Sequence, residues 1–299
     1  MKKNHFALKT AFLLTLLAAI VGIERVSHYM TDGFGIASIS SNIPPHEIWE
    51  TAISSEDQLE TRHALSQDYH YLASGSQSYV FLSNDGKYVI KFFKHKRWRL
   101  NPFYAFVPLP SKWEKKRTRW KEKKWETVND TFSSCKISYE LFKDETGVLF
   151  VHLNKTNNLK MTLPVKDKVG FKHKLALDKL QFVLQRKAVP TDEYLLNLRK
   201  LEDTETAKKA IHDMLTFTKK RAQLGYSDKD PHLIRNFGFI EGKAVEIDIG
   251  GFHKDPKKGF KYYESREIFK IEEKLLPWIR ENYPEIAAYT EKQIDLLSN

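Results

Sequence analysis

The sequence contains a single cysteine, Cys135, among its 299 residues, and it contains no internal repeat and no low-complexity tract. A lone cysteine excludes an intrachain disulfide, and we interpret Cys135 as a small buried residue. The lack of repeats excludes a solenoid. The spacing of five histidines argues against a shared metal site: His95, His152, His173, His212 and His253. The composition is that of a globular protein, 41% apolar and long enough for one large core or two smaller ones.

The N-terminal apolar run is short for a membrane crossing. It extends from Ala11 to Ile23, 13 residues, whereas a helix needs about 20 to cross a bilayer. Residues 1–23 therefore resemble either a signal peptide or an uncleaved anchor. No small-x-small cleavage site follows, so we favour a single-pass membrane anchor, with export after signal cleavage as the alternative. Lysines precede the run and the pair Glu24-Arg25 follows it, which predicts a cytoplasmic N-terminus and an exported body.

The net charge of +11 is concentrated between Lys94 and Lys124, where twelve Lys or Arg residues face only Glu114 and Glu122. Four of the six tryptophans are interleaved with these charges: Trp98, Trp113, Trp120 and Trp125. Such a segment suits an anionic membrane surface or a nucleic-acid backbone, or it is a solvated helix whose tryptophans pack on the domain. Because an anchor lies nearby in sequence, we expect anionic lipid as the partner of 94–124 and do not expect nucleic acid.

The order of elements predicts an α+β fold of two lobes. Four regions follow the chain: a signal anchor or signal peptide at 1–23, a polar connector at 24–66, a strand-rich N-lobe at 67–188 with the basic helical insertion 94–124, and a helical C-lobe at 189–299. The predicted N-lobe elements are two strands joined by Asn84-Asp85-Gly86, a long helix and two further strands: Tyr71–Ser83, Lys87–Phe93, Ser111–Thr146, Val148–Leu153 and Leu180–Gln185. The predicted C-lobe helices are Thr191–Leu201, Thr204–Leu224 and two within 264–298, broken at Pro284. A ligand is expected in the cleft between the lobes.

Residues 225–252, with the sequence GYSDKDPHLIRNFGFIEGKAVEIDIGGF, combine a hairpin with oxygen-bearing side chains at both ends. Phosphoryl transfer from a nucleotide needs a carboxylate near the attacking hydroxyl, and an amide and a second carboxylate that hold Mg²⁺ against the phosphates. Asp230 would be the first, and Asn236 and Asp248 would be the metal ligands. The alternative is two surface loops that flank a β-ribbon, because Asp and Asn are common in turns.

A second constellation lies upstream, in the sequence YLASGSQSYVFLSNDGKYVIKFFK. Four residues occupy the spacing of a G-x-G-x-x-G-x-V loop, whose small residues let backbone N–H groups approach phosphates: Ala73, Gly75, Ser78 and Val80. Lys91 follows Val80 by eleven residues and ends a V-I-K strand. A lysine within an apolar run is costly unless an anion or a carboxylate meets it.

In residue type, order and spacing, the chain resembles the protein kinase-like superfamily over about residues 68–252. The segment DPHLIRN is most similar to the small bacterial branches, such as lipopolysaccharide-sugar kinases, aminoglycoside phosphotransferases and ubiquinone-associated atypical kinases. The resemblance implies ATP and Mg²⁺ as cofactors and the loop residues as nucleotide-binding. It also implies that Lys91 holds the α- and β-phosphates, that Asp230 is the catalytic carboxylate, and that Asn236 and Asp248 bind Mg²⁺.

The sequence also departs from the family pattern. Asp230 and Asn236 are six residues apart instead of five, and Asp228 stands where a His or Tyr is expected. We interpret Asp228 as a charged loop residue, although it lies close enough to Asp230 to be a rival for its role. A count back from the next strand places the helix residue that should pair with Lys91 at 135–137, between two glutamates, and we favour Glu140 over Glu126. No Ala-Pro-Glu motif follows Gly250, which is typical of kinases for small molecules or lipids.

These features predict a membrane-tethered, kinase-like phosphotransferase that uses ATP and Mg²⁺ on an unidentified acceptor. The motif losses favour a different class, a pseudokinase that acts by binding at a membrane surface. The predicted export favours it too, because a bacterial periplasm holds little ATP. A third class, a basic lipid- or RNA-binding protein without a nucleotide site, requires that Lys91, Asn236 and Asp248 coincide by chance.

Overall fold

The computed structural model describes residues 2–100, 107–254 and 260–298 of the chain. The first element is helix α1, Lys2–Thr31, which continues past the predicted end at Ile23. Its segment Phe12–Thr31 is long enough and apolar enough to span a membrane, a property that signal sequences share. The helix ends where Gly33, at φ 74°, donates its N–H to the His28 carbonyl at 3.0 Å.

A curled sheet of seven strands forms the N-lobe, in the order β4-β7-β3-β2-β1-β5-β6. Neighbouring strands are antiparallel except β1 and β5, which are parallel. The strands are β1 Tyr69–Ser74, β2 Ser78–Ser83, β3 Tyr88–Phe93, β4 Val148–His152, β5 Thr162–Lys166, β6 Lys172–Ala176 and β7 Phe182–Arg186. The strand predicted at Tyr71–Ser83 is thus two strands, because the chain reverses at Gly75, whose N–H donates to the Ser78 carbonyl at 2.9 Å.

The helices of the N-lobe pack on this sheet. They are α2 Ile36–Ile39, α3 Gln58–Leu65, α4 His95–Trp98, α5 Ser111–Leu141 and α6 Lys143–Thr146. Helix α5 buries one face at helical spacing: Val128, Phe132, Cys135 and Tyr139. Gly147, at φ 64°, ends the helical region as predicted. The segment 24–66, predicted as a connector, contributes Phe34, Ile39 and Trp49 to the N-lobe core.

Helices dominate the C-lobe: α7 Thr191–Lys200, α8 Thr204–Gln223, α9 Leu233–Asn236, α10 Phe260–Asn282 and α11 Ala287–Ser298. Two small sheets complete it, β11-β10-β8 and β12-β9. Their strands are β8 Val189–Pro190, β9 Ser227–Asp228, β10 Phe237–Ile240, β11 Lys243–Glu246 and β12 Phe252–His253. The hairpin β10-β11 turns at Glu241 and Gly242, both with positive φ, as in a type I′ turn. The predicted α+β architecture of a strand-rich lobe, a helical lobe and an N-terminal apolar helix is confirmed.

Candidate functional site

Lys91 lies in the middle of the N-lobe sheet and faces the C-lobe. On β3 it is opposite Val80 of β2 and Val183 of β7, and all three side chains line one cavity. The ammonium group donates to the Ile247 carbonyl at 2.6 Å, on the other side of the cleft. Lys91 is only partly buried as a residue, but its ammonium group is enclosed, and this burial lowers its pKa, while the charge of Asp248 opposes the shift.

The segment of Asp248 is held in the cleft from two sides. The Asn236 carbonyl accepts the N–H groups of Ile247 at 2.6 Å and Asp248 at 3.3 Å. On the helix side, Ser134 of α5 donates to the Ile249 carbonyl and accepts from the Phe252 N–H. The Asp248 side chain itself is exposed at the cleft. These hydrogen bonds therefore fix the backbone of the Asp248 segment, while the Asp248 carboxylate stays exposed at the cleft.

The cavity between the lobes has a volume of about 190 Å³. Lys91 and Asp248 line it together with three of the four predicted loop residues: Gly75, Ser78 and Val80. Ala73 of β1 is opposite Val80 of β2 but does not line the cavity. The structure thus brings the loop, the lysine and one carboxylate around a common space.

Glu140 does not lie at this cavity. Its side chain is 50% exposed and lies 3.5 Å from the ammonium of Lys136. Cys135 and Thr131 of α5 line the cavity instead, and the position of Cys135 agrees with the simple count along the sequence. Burial raises the pKa of the Cys135 thiol to about 12, so this thiol is neutral. The α5 side chain that interacts with Lys91 is therefore a neutral thiol and not a glutamate carboxylate.

Asp230 does not line the cavity either. Its carboxylate is 59% exposed on the side chain and accepts from Lys274 of α10 at 2.7 Å, and this hydrogen bond lowers its pKa. Asn236 is buried, and its side-chain amide donates to the Asp230 carbonyl at 2.6 Å. The side-chain amide of Asn236 therefore stabilises the loop that carries Asp230. The spacing of six residues between Asp230 and Asn236 is accommodated by the single helical turn of α9.

Asp228, the rival for Asp230, is a buried residue of the C-lobe. It pairs with Phe252 between β9 and β12, and its N–H donates to Glu267 at 2.7 Å. Arg221 binds both Glu267, at 2.8 Å, and Glu246. We name the four residues Arg221, Asp228, Glu246 and Glu267 the buried charge cluster; each is at most 3% exposed. Burial raises the pKa of Asp228 and of Glu246.

The donors at the cleft suit Mg²⁺ held partly by a nucleotide. Mg²⁺ usually takes one or two carboxylates, completes its shell with water and binds substrate phosphates. Asp248 supplies an exposed carboxylate, one oxygen of which accepts from the Gly250 N–H at 3.3 Å. Asn236 does not line the cavity, but its backbone carbonyl bonds the Asp248 segment, and its side-chain oxygen is a further donor atom because its amide nitrogen is the atom that bonds Asp230. Among the residues that the structure describes, no group of three His, Cys, Asp or Glu side chains forms a site of protein ligands alone.

Several side chains at the site were not predicted, among them Gln77, Arg235 and Lys274. Gln77, at the tip of the Gly75–Ser78 turn, accepts from Thr131 at 3.2 Å. Arg235 lines the cavity, and Lys274 holds Asp230. Gln77 lies inside the loop motif and could have been noted from its position. Lys274 lies 44 residues beyond its partner, and nothing local in the sequence indicates the contact.

The basic segment borders the site. Lys94 donates to the Ser74 hydroxyl and the Gly75 carbonyl, and Arg97 donates to the Ser76 carbonyl, so both cations hold the turn. Trp98 and Trp125 pack against Phe93 and Trp49 of the N-lobe, whereas Trp113 is 50% exposed beside Lys116. Residues 101–106 lie outside the described part. The lipid partner of 94–124 stays a prediction.

No protein-family model matches the sequence, and no curated protein gives a significant match. Solved structures that are distantly similar to the chain include two at 14% identity. One is the bifunctional kinase-methyltransferase WbdD, with a TM-score of 0.35 and 14% identity over 73% of this chain and 43% of that protein's chain. The other is Rv3197 of Mycobacterium tuberculosis with erythromycin, with a TM-score of 0.30 and 14% identity over 94% of this chain and 74% of the other. At this distance neither structure defines the activity of this chain.

Proposed function

We propose that the chain is a membrane-tethered, atypical kinase-like phosphotransferase that uses ATP and Mg²⁺ on an acceptor still to be identified. One observation carries the proposal: an enclosed ammonium from the N-lobe sheet and an exposed carboxylate from the C-lobe face a common cavity beneath the Gly75–Ser78 turn. Burying an ammonium costs stability unless an anion meets it, so Lys91 makes physical sense as a phosphate ligand.

Each residue would have a distinct task. Lys91 would hold phosphate oxygens, the turn would offer backbone N–H groups, and Asp248 with Asn236 would hold Mg²⁺. The bound metal would neutralise phosphate charge during transfer. Asp230 would orient the acceptor hydroxyl once its carboxylate leaves Lys274, which keeps it ionised. Catalysis would thus rest on positioning and electrostatics.

Two observations favour the alternative, a pseudokinase that binds without transferring phosphate. The carboxylate of Asp230 pairs with Lys274 away from the cavity. The helix position next to Lys91 holds Cys135 instead of a glutamate. Both features leave the cavity with fewer of the charged side chains that phosphoryl transfer needs. Neither removes the residues that would bind phosphate.

The tether is supported by α1 alone. Its exposed apolar segment Phe12–Thr31 leads directly into residues that pack on the N-lobe, with Tyr79 donating to the Gly33 carbonyl at 2.7 Å. A single-pass anchor in this position would hold the N-lobe close to the bilayer.

Thermal unfolding of the detergent-solubilised chain, with and without ATP and Mg²⁺, tests the nucleotide site. We expect stabilisation that requires the metal. Lys91→Ala should weaken ATP binding by about 10- to 150-fold, because a charge-assisted hydrogen bond contributes about 1.5–3 kcal/mol. Asp248→Ala should remove the Mg²⁺ dependence.

Lys87→Ala is the matched control, since Lys87 is an exposed lysine just before the same strand. It should leave the response unchanged. No stabilisation by any nucleotide would overturn both the enzyme and the nucleotide-binding pseudokinase. If ATP binds, phosphate release that is lost in Asp230→Asn identifies the enzyme, and binding without release identifies the pseudokinase.

A further inference from the structure

We propose that the β5-β6 hairpin is a second membrane contact, which inserts its tip into an anionic lipid surface beside α1 and so fixes the orientation of the N-lobe on the bilayer. This inference rests on the tether of the proposed function and is independent of nucleotide binding. The basic segment 94–124 takes no part in it.

The tip of the hairpin exposes apolar side chains. Phe171 is 71% exposed and Val169 is 37% exposed, in the turn that connects β5 to the edge strand β6. Exposed aromatic and aliphatic side chains at one loop tip are a feature of surfaces that contact lipid or protein. Around them stand four exposed lysines: Lys166, Lys168, Lys172 and Lys174. Cations around an apolar tip complement an anionic lipid surface.

The turn is built to hold this shape. The buried carboxylate of Asp167 accepts the N–H groups of Val169, at 3.1 Å, and Phe171, at 2.9 Å. Its other oxygen lies 2.7 Å from the His173 ring. Gly170 takes φ 99° within the turn. A turn with this internal bonding presents Phe171 and Val169 outward at little further entropy cost on docking.

The hairpin and the end of α1 form one surface. An apolar cavity of about 610 Å³ lies between them, lined by Val169 and Phe171 on one side and by Ile23, Val26 and Met30 of α1 on the other. The α1 residues belong to the segment that is long enough to span a membrane. A bilayer that surrounds this part of α1 therefore reaches the hairpin tip, and lipid chains would fill the cavity.

Polar contacts lock the two elements together just outside the apolar segment. Asp32 accepts from Lys168 at 2.8 Å and from Tyr71 at 2.5 Å. Phe34 packs edge-on against the His173 ring, with centroids 5.6 Å apart. These contacts hold the hairpin beside the end of the anchor, which favours lipid over a protein partner as the occupant.

The test uses the full chain in lipid nanodiscs with a fluorescent NBD group on one introduced cysteine. Phe171→Cys reports the hairpin, Leu16→Cys reports the anchor, and Leu201→Cys, at a 75% exposed leucine of the C-lobe, is the control. The native Cys135 stays unlabelled because burial suppresses its thiolate. Quenching by lipids that carry a nitroxide on the acyl chain measures contact with the bilayer.

We expect a blue-shifted, quenched emission at residues 16 and 171 and neither at residue 201. Phosphatidylserine should increase the quenching at 171 over phosphatidylcholine alone. The triple replacement of Lys166, Lys172 and Lys174 by Gln should abolish that increase. Each lysine near an anionic surface changes the ratio of docked to undocked hairpin by about fivefold. Lys168 is retained because it bonds Asp32.

Two results would overturn the inference and can be told apart. Quenching at 16 but not at 171 leaves the tether intact and removes only the hairpin contact. Absence of quenching at both sites means that α1 is not in the bilayer, and the tether and the hairpin contact fail together. ATP stabilisation measured on the same nanodiscs is unaffected by either outcome, so the nucleotide site is tested separately.

Discussion

The two lobes bury different chemistry on the two sides of the cleft. Behind Lys91 the N-lobe packs aromatic rings on one another, with Phe92 and Phe182 at 6.1 Å and Phe150 and Phe182 at 6.0 Å between centroids. Behind the Asp248 segment the C-lobe has the buried charge cluster, in which one arginine faces three carboxyl groups. The N-lobe side of the cleft is therefore stabilised by apolar burial, while the stability of the C-lobe side depends on protonation.

The strongest test of this contrast is Arg221→Met. Removal of one partner from a buried ion pair costs about 3–5 kcal/mol, because carboxylates stay buried without a cation. The loss in unfolding free energy should be smaller at pH 5 than at pH 7, since Asp228 and Glu246 are more easily protonated there. Denaturant titration at both pH values measures it.

Phe182→Leu is the N-lobe counterpart. It should cost less than about 1.5 kcal/mol, since the side chain stays apolar and similar in volume, and the loss should be equal at both pH values. An Arg221→Met loss that is also equal at both would contradict the contrast between the lobes.

An effect smaller than that of Arg221→Met is expected from Gly251→Ala, at a glycine that links the buried charge cluster to the cleft. A Cβ atom at this glycine would lie 1.9 Å from the Asp228 carboxylate, so Asp228 or the backbone near Asp248 must move. Overpacking of this kind costs about 1–3 kcal/mol. We also expect weaker Mg²⁺-dependent ATP binding by calorimetry. Gly35→Ala, where a Cβ meets nothing within 4 Å, should change neither property.

A further effect concerns pH alone. Because burial raises the pKa of Glu246, the folded state keeps a proton that the unfolded state releases near 4.5. Stability should therefore be highest below that pH and should fall as pH rises towards the folded pKa, by at most about 1.4 kcal/mol per pH unit for each group. Glu246→Gln should flatten the melting temperature between pH 4.5 and 7. An unchanged slope would assign the pH dependence to other groups.

The sequence predicted the elements that local signals define. The turn at Asn84-Asp85-Gly86, the strand that carries Lys91, the hairpin β10-β11 and helix α8 all follow from turn chemistry and periodicity. Helix α1 was predicted too short, since Glu24 and Arg25 are solvated on an unpacked helix and do not end it. The C-terminal signal at Asp32-Gly33 was the better indicator.

The site was predictable only in part because its remaining contacts depend on tertiary packing. The helix residue next to Lys91 depends on how α5, 31 residues long, is rotated against the sheet. The expected carboxylate partner favoured Glu140, whereas the count back from the next strand indicated residues 135–137, which include Cys135. The pairing of Asp230 with Lys274 joins elements that are distant in sequence, and composition does not encode it.

The hydrogen bond between Gln77 of the Gly75–Ser78 turn and Thr131 of α5 bears on how quickly a nucleotide could enter. The cavity, at about 190 Å³, is below the range of about 300–1,000 Å³ that is usual for ligand pockets, so we expect the turn to lift when ATP binds. Lifting breaks the hydrogen bond from Thr131 to Gln77 and the grip of Lys94 and Arg97 on the turn. If ATP binds as proposed, its observed association rate will rise with concentration and then level off at the opening rate of the turn, a plateau that stopped-flow mixing can resolve.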